Sequence, residues 1–221
     1  MKHLDYWMVF GLGIAMTLGS AFHWLPYSLT ETLGFVTGAA CVYLVVKEHI
    51  WNFPIGIANN LFFLVLFGQA RLYGDAGLQV VFMLLGIQGW YVWLYGGKNR
   101  THRQIAHATP PMLGLVTGFV LFGTYGLTQI LHRVSGAAPL LDAFTTVLSL
   151  AAQYLLNCKL IENWYVWILA NIIYIYLYLH RGLQLTAILY FVFLCLCIAG
   201  LINWTQTFKK QSGTLTCQSV D

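Results

Sequence analysis

Residues 31–93 can be laid over residues 142–204 at a constant offset of 111, without a gap, and eighteen of the sixty-three positions are identical. This duplication constrains the chain more than any other feature, because one supersecondary unit must then account for both halves. Apolar matches carry little weight between leucine-rich segments. More telling are Tyr43/Tyr154, Asn52/Asn163, Asn60/Asn171, Gly89/Gly200 and Trp93/Trp204.

Hydrophobic residues make up 59% of the chain and charged residues only 8%, with a mean hydropathy of +0.70. Soluble domains carry roughly 25% charged residues, so this is an integral membrane protein. Helices are expected at about 32–46, 52–68, 76–96, 112–131, 142–157, 163–180 and 185–205. Each copy of the repeat then holds three helices, and the helix at 112–131 joins them. One intervening helix between two odd-numbered units keeps both in the same orientation. The expected fold is therefore an all-α membrane bundle of seven helices, a 3+1+3 parallel repeat about an axis along the bilayer normal.

In this division residues 1–30 form an N-terminal helix and 31–96 the first three-helix repeat. Residues 97–141 supply a basic loop and the linker helix, 142–205 the second repeat, and 206–221 a polar tail, unstructured from 209. The apolar run at 8–25 is expected to be retained, either as an extra span or as an interfacial helix. Asp5 and a weakly basic start argue against a cleaved signal.

Loop charge sets the topology. Lys47, Lys98, Arg100, Arg103, Lys159, Lys209 and Lys210 fall on one side, Arg71, Arg133 and Arg181 on the other. The 97–111 loop and the C-terminus are thus expected in the cytoplasm. The five cysteines form no CxxC pair and read as small apolar side chains. No basic patch of the kind a nucleic-acid reader uses is present.

The segment NWYVWILANIIYIYLYLH (163–180) brings Trp164, Trp167, Asn171, Tyr174 and Tyr178 into an arc of about 80° on one helix face. An amide in an apolar helix needs a hydrogen-bond partner. Two readings follow: a helix-packing face, or the wall of a pocket for a flat polar ligand. The helix at 142–157 adds Thr146, Ser149, Gln153 and Asn157 on one face. The first half has Phe53, Gly56, Phe63 and Phe67 opposite the aromatics of the second, and Phe35, Gly38, Val42 and Val46 opposite this stripe. Polar lining thus concentrates in the second half, and an asymmetric ligand is expected. Asn60 and Asn171 are expected near the midplane, where parallel-repeat transporters bind substrate.

On the helix at 76–96, Gln79, Gly86, Trp90 and Trp93 share one face, and Gln88, Tyr91 and Tyr95 another. Trp93 and Tyr95 read as interfacial anchors; Gln88 lies a turn deeper. Asp75 reads as a helix cap, and Pro54 as a proline in a first helical turn. Catalytic motifs are lacking: no HExxH, GxSxG or Walker loop occurs, and the histidines form no ligand cluster. Asp and Glu are confined to loops and helix ends, which points to uncoupled facilitated diffusion. No cofactor is expected, and no enzyme activity.

The segments WNFPIGIANN (51–60), ARLYGDAGLQ (70–79), GWYVW (89–93) and ENWYVW (162–167) resemble the PnuC family of bacterial nicotinamide riboside transporters. The resemblance covers residues 31–205. It implies a SWEET-like fold, the bacterial inner membrane, facilitated uptake of nicotinamide riboside, trapping by an intracellular kinase for NAD synthesis, and a homotrimer. Such a ligand suits the residues singled out: Trp164 or Trp167 to stack on the pyridinium, and Asn60, Asn171, Gln88 and Gln153 to bond its carboxamide and hydroxyls. Tyr174 and Trp90 complete the expected site. A lack of buried Lys or Arg disfavours the mononucleotide, whose phosphate would be left unpaired. A SWEET-like sugar uniporter, or a carrier of another flat vitamin, is the alternative.

Overall fold

A computed structural model describes residues 29–69, 71, 73–133, 139–180 and 184–218; the run at 8–25 and Arg181 lie outside them. Seven α-helices follow in order: α1 Leu29–Val46, α2 Asn52–Gln69, α3 Tyr73–Tyr95, α4 Pro110–Arg133, α5 Pro139–Asn157, α6 Glu162–His180 and α7 Gln184–Gln218. Among the described residues the segments Gly74–Tyr95, Pro110–Arg133, Pro139–Asn157 and Ala187–Ser212 are long and apolar enough to cross a membrane, and Thr32–Val46 is a shorter apolar helix. The protein is thus an all-helical, multi-pass membrane protein. In α2 and α6 the apolar character is diluted by Asn59, Asn60 and Asn171 and, in α6, by Trp and Tyr.

Two expectations about helix ends are corrected. Asp75 does not cap α3, which begins two residues earlier, so its carboxylate falls within the first turn, where the helix dipole favours it. Residues 209–218 are not an unstructured tail, because α7 continues to Gln218. Along α7, Thr205, Thr207 and Ser212 each donate to the carbonyl four residues back, which keeps these polar side chains compatible with helix. Pro54 does lie in the first turn of α2.

Residues 1–87 and 88–221 form two compact units. In the first, α1 packs on α2. Asn59 Nδ2 donates to Thr37 Oγ1, and Cys41 Sγ donates to the Asn52 carbonyl at 2.9 Å. Gly34 leaves room for the Phe63 ring. In the second unit α4 packs on α5, α5 on α6 and α6 on α7.

The turns after α1 and α5 have the same construction. Glu48 (φ 56°) and Lys159 (φ 58°), 111 residues apart, both take the left-handed conformation. In the first turn, His49 N donates to Leu44 O at 2.8 Å and Glu48 N to Val45 O at 3.0 Å. In the second, Leu160 N donates to Leu155 O at 3.0 Å and Lys159 N to Leu156 O at 2.9 Å. These are Schellman closures, which satisfy the orphan carbonyls of a helix end. Three residues on, Asn52 Nδ2 donates back to His49 O, and Asn163 Nδ2 to Leu160 O.

The basic 97–109 segment is laced to the second unit. Arg103 N donates to Trp93 O, while its guanidinium donates to Gly96 O (3.2 Å) and Cys158 O (3.3 Å), at the C-terminal ends of α3 and α5. A cation there satisfies orphan carbonyls and complements both helix dipoles. Ala106 bridges Lys159 and Ile161 through its backbone. Glu162 accepts from Ala108 N at 2.9 Å and contacts His107 Nδ1 at 2.8 Å, and the His107 ring stands edge-on to Phe208.

Candidate substrate site

Three side-chain groups in the second unit bear on binding. The first is an indole cluster. Trp164, at the start of α6, is 1% exposed and meets Trp204 of α7 edge to face, ring centroids 5.3 Å apart. Trp204 in turn lies 5.9 Å from Trp93. Gly200 makes this possible, since a Cβ there would collide with the outer ring of Trp164. Trp93 is not the interfacial anchor expected of it. It is 3% exposed, and its Nε1 donates to Leu156 O at 3.1 Å, because the turn of α5 and the Arg103 segment cover the end of α3. Tyr91 and Tyr95, by contrast, are exposed. Trp164 Nε1 is buried with no partner, a donor whose isolation costs about 1–3 kcal/mol unless something satisfies it.

The expectation that no Lys or Arg is buried is also corrected. Lys159 is 9% exposed, with Nζ 4.7 Å from the centre of the Trp93 ring. Its left-handed backbone turns the stem back over α3, and the indole face holds the ammonium by a cation–π contact. Counting it as a loop charge missed this.

The second group is a relay of amides. Asn157 Nδ2 donates to Gln88 Oε1 at 2.8 Å, and Gln153 Nε2 donates to Asn157 Oδ1 at 3.0 Å. The structure thus joins the expected Gln88 and Gln153 through Asn157, which was recognised only as the end of a polar stripe. Asn157 is fully buried, and the two glutamines are half-buried.

The third group runs along α6 toward its other end. Asn171 is 4% exposed, its Nδ2 bound to Trp167 O at 2.8 Å and resting on Cys197 Sγ at 3.6 Å. Tyr174 lies 4.7 Å from Tyr190 of α7 and is stacked on Tyr178. Trp164, Asn171 and Tyr174 therefore all face α7, so the packing reading of this face holds for these three contacts. Trp167 is half-buried. Trp90 is 37% exposed, and two residues from Gln88 on a helix it points about 200° away from it. Asn60 lies in the first unit and is half-buried; its neighbour Asn59 makes the bond to Thr37. Tyr190 and Trp204 were not expected in the site. Trp204 was visible as the repeat partner of Trp93, whereas nothing singled out Tyr190.

The protein is a multi-pass helical membrane protein whose second unit buries amides, indoles and one lysine, with phenols along α6 and α7. Residues 28–206 match the family model described as nicotinamide mononucleotide transporter. The chain belongs to that family, a family of transporters and not of enzymes. It is 30% identical to the nicotinamide riboside transporter PnuC of Neisseria mucosa, over 94% of this chain and 82% of that one. With PnuC of Escherichia coli (strain K12) it shares 24% identity, over 94% and 97%. It is 23% identical to the riboflavin/roseoflavin transporter RibM of Streptomyces davaonensis, over 83% and 87%. A crystal structure of the vitamin B3 transporter PnuC superposes with a TM-score of 0.69 at 28% identity, covering 92% of this chain and 89% of that one.

Proposed function

We propose that the protein carries nicotinamide riboside across a bacterial inner membrane by facilitated diffusion, with its C-terminus in the cytoplasm. The observation that carries this reading is a neutral polar lining in a chain of this family: the Gln88–Asn157–Gln153 relay near the buried end of α5. A riboside offers a carboxamide and hydroxyls for such amides and a flat cation for an indole. Trp164, Trp167, Asn171, Tyr174 and Trp90, with Asn60 in the first half, complete the proposed substrate-binding set. The partnerless Trp164 Nε1 is a donor that a ligand oxygen would satisfy.

The family description names a mononucleotide and the relatives' names a riboside; the lining favours the riboside. Lys159 is the one buried base among the described residues, and its ammonium already rests on Trp93. A phosphate dianion calls for more than that. No Asp or Glu lies in the sequence between Glu162 and Asp221, or between Asp75 and Asp142. This supports uncoupled transport, with the cargo retained by phosphorylation inside. The reading includes a 3+1+3 parallel duplication crossing the membrane seven times, supported by the matching turns at Glu48 and Lys159, and a homotrimer. Another flat vitamin is the second reading, favoured by the similarity to RibM.

Uptake of labelled riboside into liposomes tests it. Transport should equilibrate at the same rate with or without an imposed pH gradient. It should fall at least about fivefold in the doubly substituted Trp164→Ala, Trp167→Ala protein, since two stacking partners are worth ~0.5–2 kcal/mol each. Accumulation above equilibrium driven by the gradient would overturn uncoupled transport. Unchanged affinity in the double variant would overturn the stacking role.

A further inference from the structure

We propose that Asn157 is a positioning residue that makes the site select a carboxamide over a carboxylate. This rests on the reading of the protein as a riboside carrier. Asn157 is 0% exposed and ends α5. Gln153 lies one turn back on the same helix, and Gln88 comes from α3. A primary amide has one carbonyl and one amino group, so an asparagine bridging two glutamines donates to one and accepts from the other. Here it donates to Gln88 Oε1 and accepts from Gln153 Nε2. That leaves the Gln88 amino group and the Gln153 carbonyl as the two free ends; both residues are half-buried, and among the described residues neither group has a further hydrogen bond or is sealed without a partner. Reversing all three amides together exchanges the ends but leaves the count unchanged: one donor, one acceptor. The buried centre forbids the two glutamines from becoming a pair of donors.

A carboxamide matches this pair, its oxygen on the amino end and its N–H on the carbonyl end. A carboxylate has two acceptors and no proton to give, so one of its oxygens must face the carbonyl end. A buried acceptor set against an acceptor costs about 1–3 kcal/mol, which converts to roughly tenfold or more at 1.4 kcal/mol per decade. The relay therefore discriminates between two ribosides that are identical in ring and sugar.

The test is binding of nicotinamide riboside and nicotinic acid riboside to the full chain in detergent. The wild type should prefer the amide by about tenfold or more. In Asn157→Leu the glutamines turn independently and the preference should collapse toward unity. Should that variant fail to fold, Gln153→Met removes the acceptor end while Asn157 keeps its bond to Gln88, and it too should lose most of the preference. A selectivity ratio is not moved by a uniform loss of stability. Equal affinity of the wild type for both ribosides, or a preference unchanged in both variants, overturns the relay while leaving the carrier reading intact. Binding of neither riboside by the folded wild type overturns the carrier reading, and the relay with it.

Discussion

Replacing Gly200 by alanine tests whether the indole cluster is built as tightly as its geometry requires. A Cβ at this position would lie 2.5 Å from Trp164 Cζ2 and 2.6 Å from Cζ3, and closer still to Cη2. Carbon atoms in contact sit near 3.5–4 Å, so the ring must retreat by about 1 Å. It moves only as a rigid body, it is 1% exposed, and the fully buried Trp204 stands edge-on beside it. Overpacking of this kind costs about 1–3 kcal/mol. Three ring carbons collide at once, which puts the cost toward the upper end, about 2–3 kcal/mol; alanine recovers up to ~1 kcal/mol of helix propensity in α7, leaving a net loss of about 1–2 kcal/mol. The assay is thermal unfolding of the detergent-solubilised protein, followed by the folded fraction on size exclusion. Gly200→Ala should melt below the wild type. Adding Trp164→Phe, which deletes the outer ring that collides, should restore much of the loss; phenylalanine already occupies the corresponding position 53 of the first half. If Gly200→Ala melts with the wild type, or if Trp164→Phe gives no relief, the close approach of α6 and α7 at this point is wrong.

Two further outcomes follow from the end of α5. Trp93→Phe removes the bond from Nε1 to Leu156 O; that carbonyl still accepts from Lys159 N at 2.9 Å, so the hydrogen bond itself contributes about 1 kcal/mol, and the packing lost beside Trp204 and Lys159 should lower the melting temperature further in the same unfolding assay. Cys158, just beyond α5, has its thiol pushed up by burial, with smaller lowering effects from the Tyr154 hydroxyl and Arg103. Less thiolate at neutral pH means slower reaction. Maleimide labelling should therefore be slower than for a free cysteine, and should still be rising at a pH where a free cysteine has levelled off; labelling at the free-thiol rate near pH 7 would contradict this.

The helices were legible because periodicity and hydropathy act locally, and all seven expected helices occur among the described residues. Their ends were less so. α3 begins before Asp75 and α7 runs past Lys210, since neither boundary is marked by a proline or by a strong capping signal. In the site, Gln88 and Gln153 were visible as polar residues in apolar helices. Asn157 was visible too, but which amides would meet depends on how α3 lies against α5, and no local pattern encodes that. Lys159 and Trp93 were misread for a shared reason. A lysine between two spans reads as a solvated loop charge and a tryptophan near a helix end as an interfacial anchor, until the 97–109 segment covers both. That segment has no periodicity to read; its order comes from Arg103 and Glu162 reaching helix ends that are remote in sequence.

The duplicated sequence has diverged where chemistry varies and held where the backbone leaves no choice. After α1 and α5 the last helix carbonyls are closed by the matching Schellman bonds. Asn52 and Asn163, 4% and 0% exposed, bond the turn carbonyls of His49 and Leu160 in the same way, and both remain asparagine. The aromatic pair further along each second helix keeps its geometry and changes its chemistry: Phe63 and Phe67 stack at 5.6 Å and 25°, Tyr174 and Tyr178 at 6.1 Å and 19°. Phenols replace phenyls, as Trp164 and Trp167 stand where the first half has Phe53 and Gly56, and Gln153 where it has Val42. Each exchange adds a hydrogen-bonding atom or an indole to one half alone while leaving the helix frame unchanged.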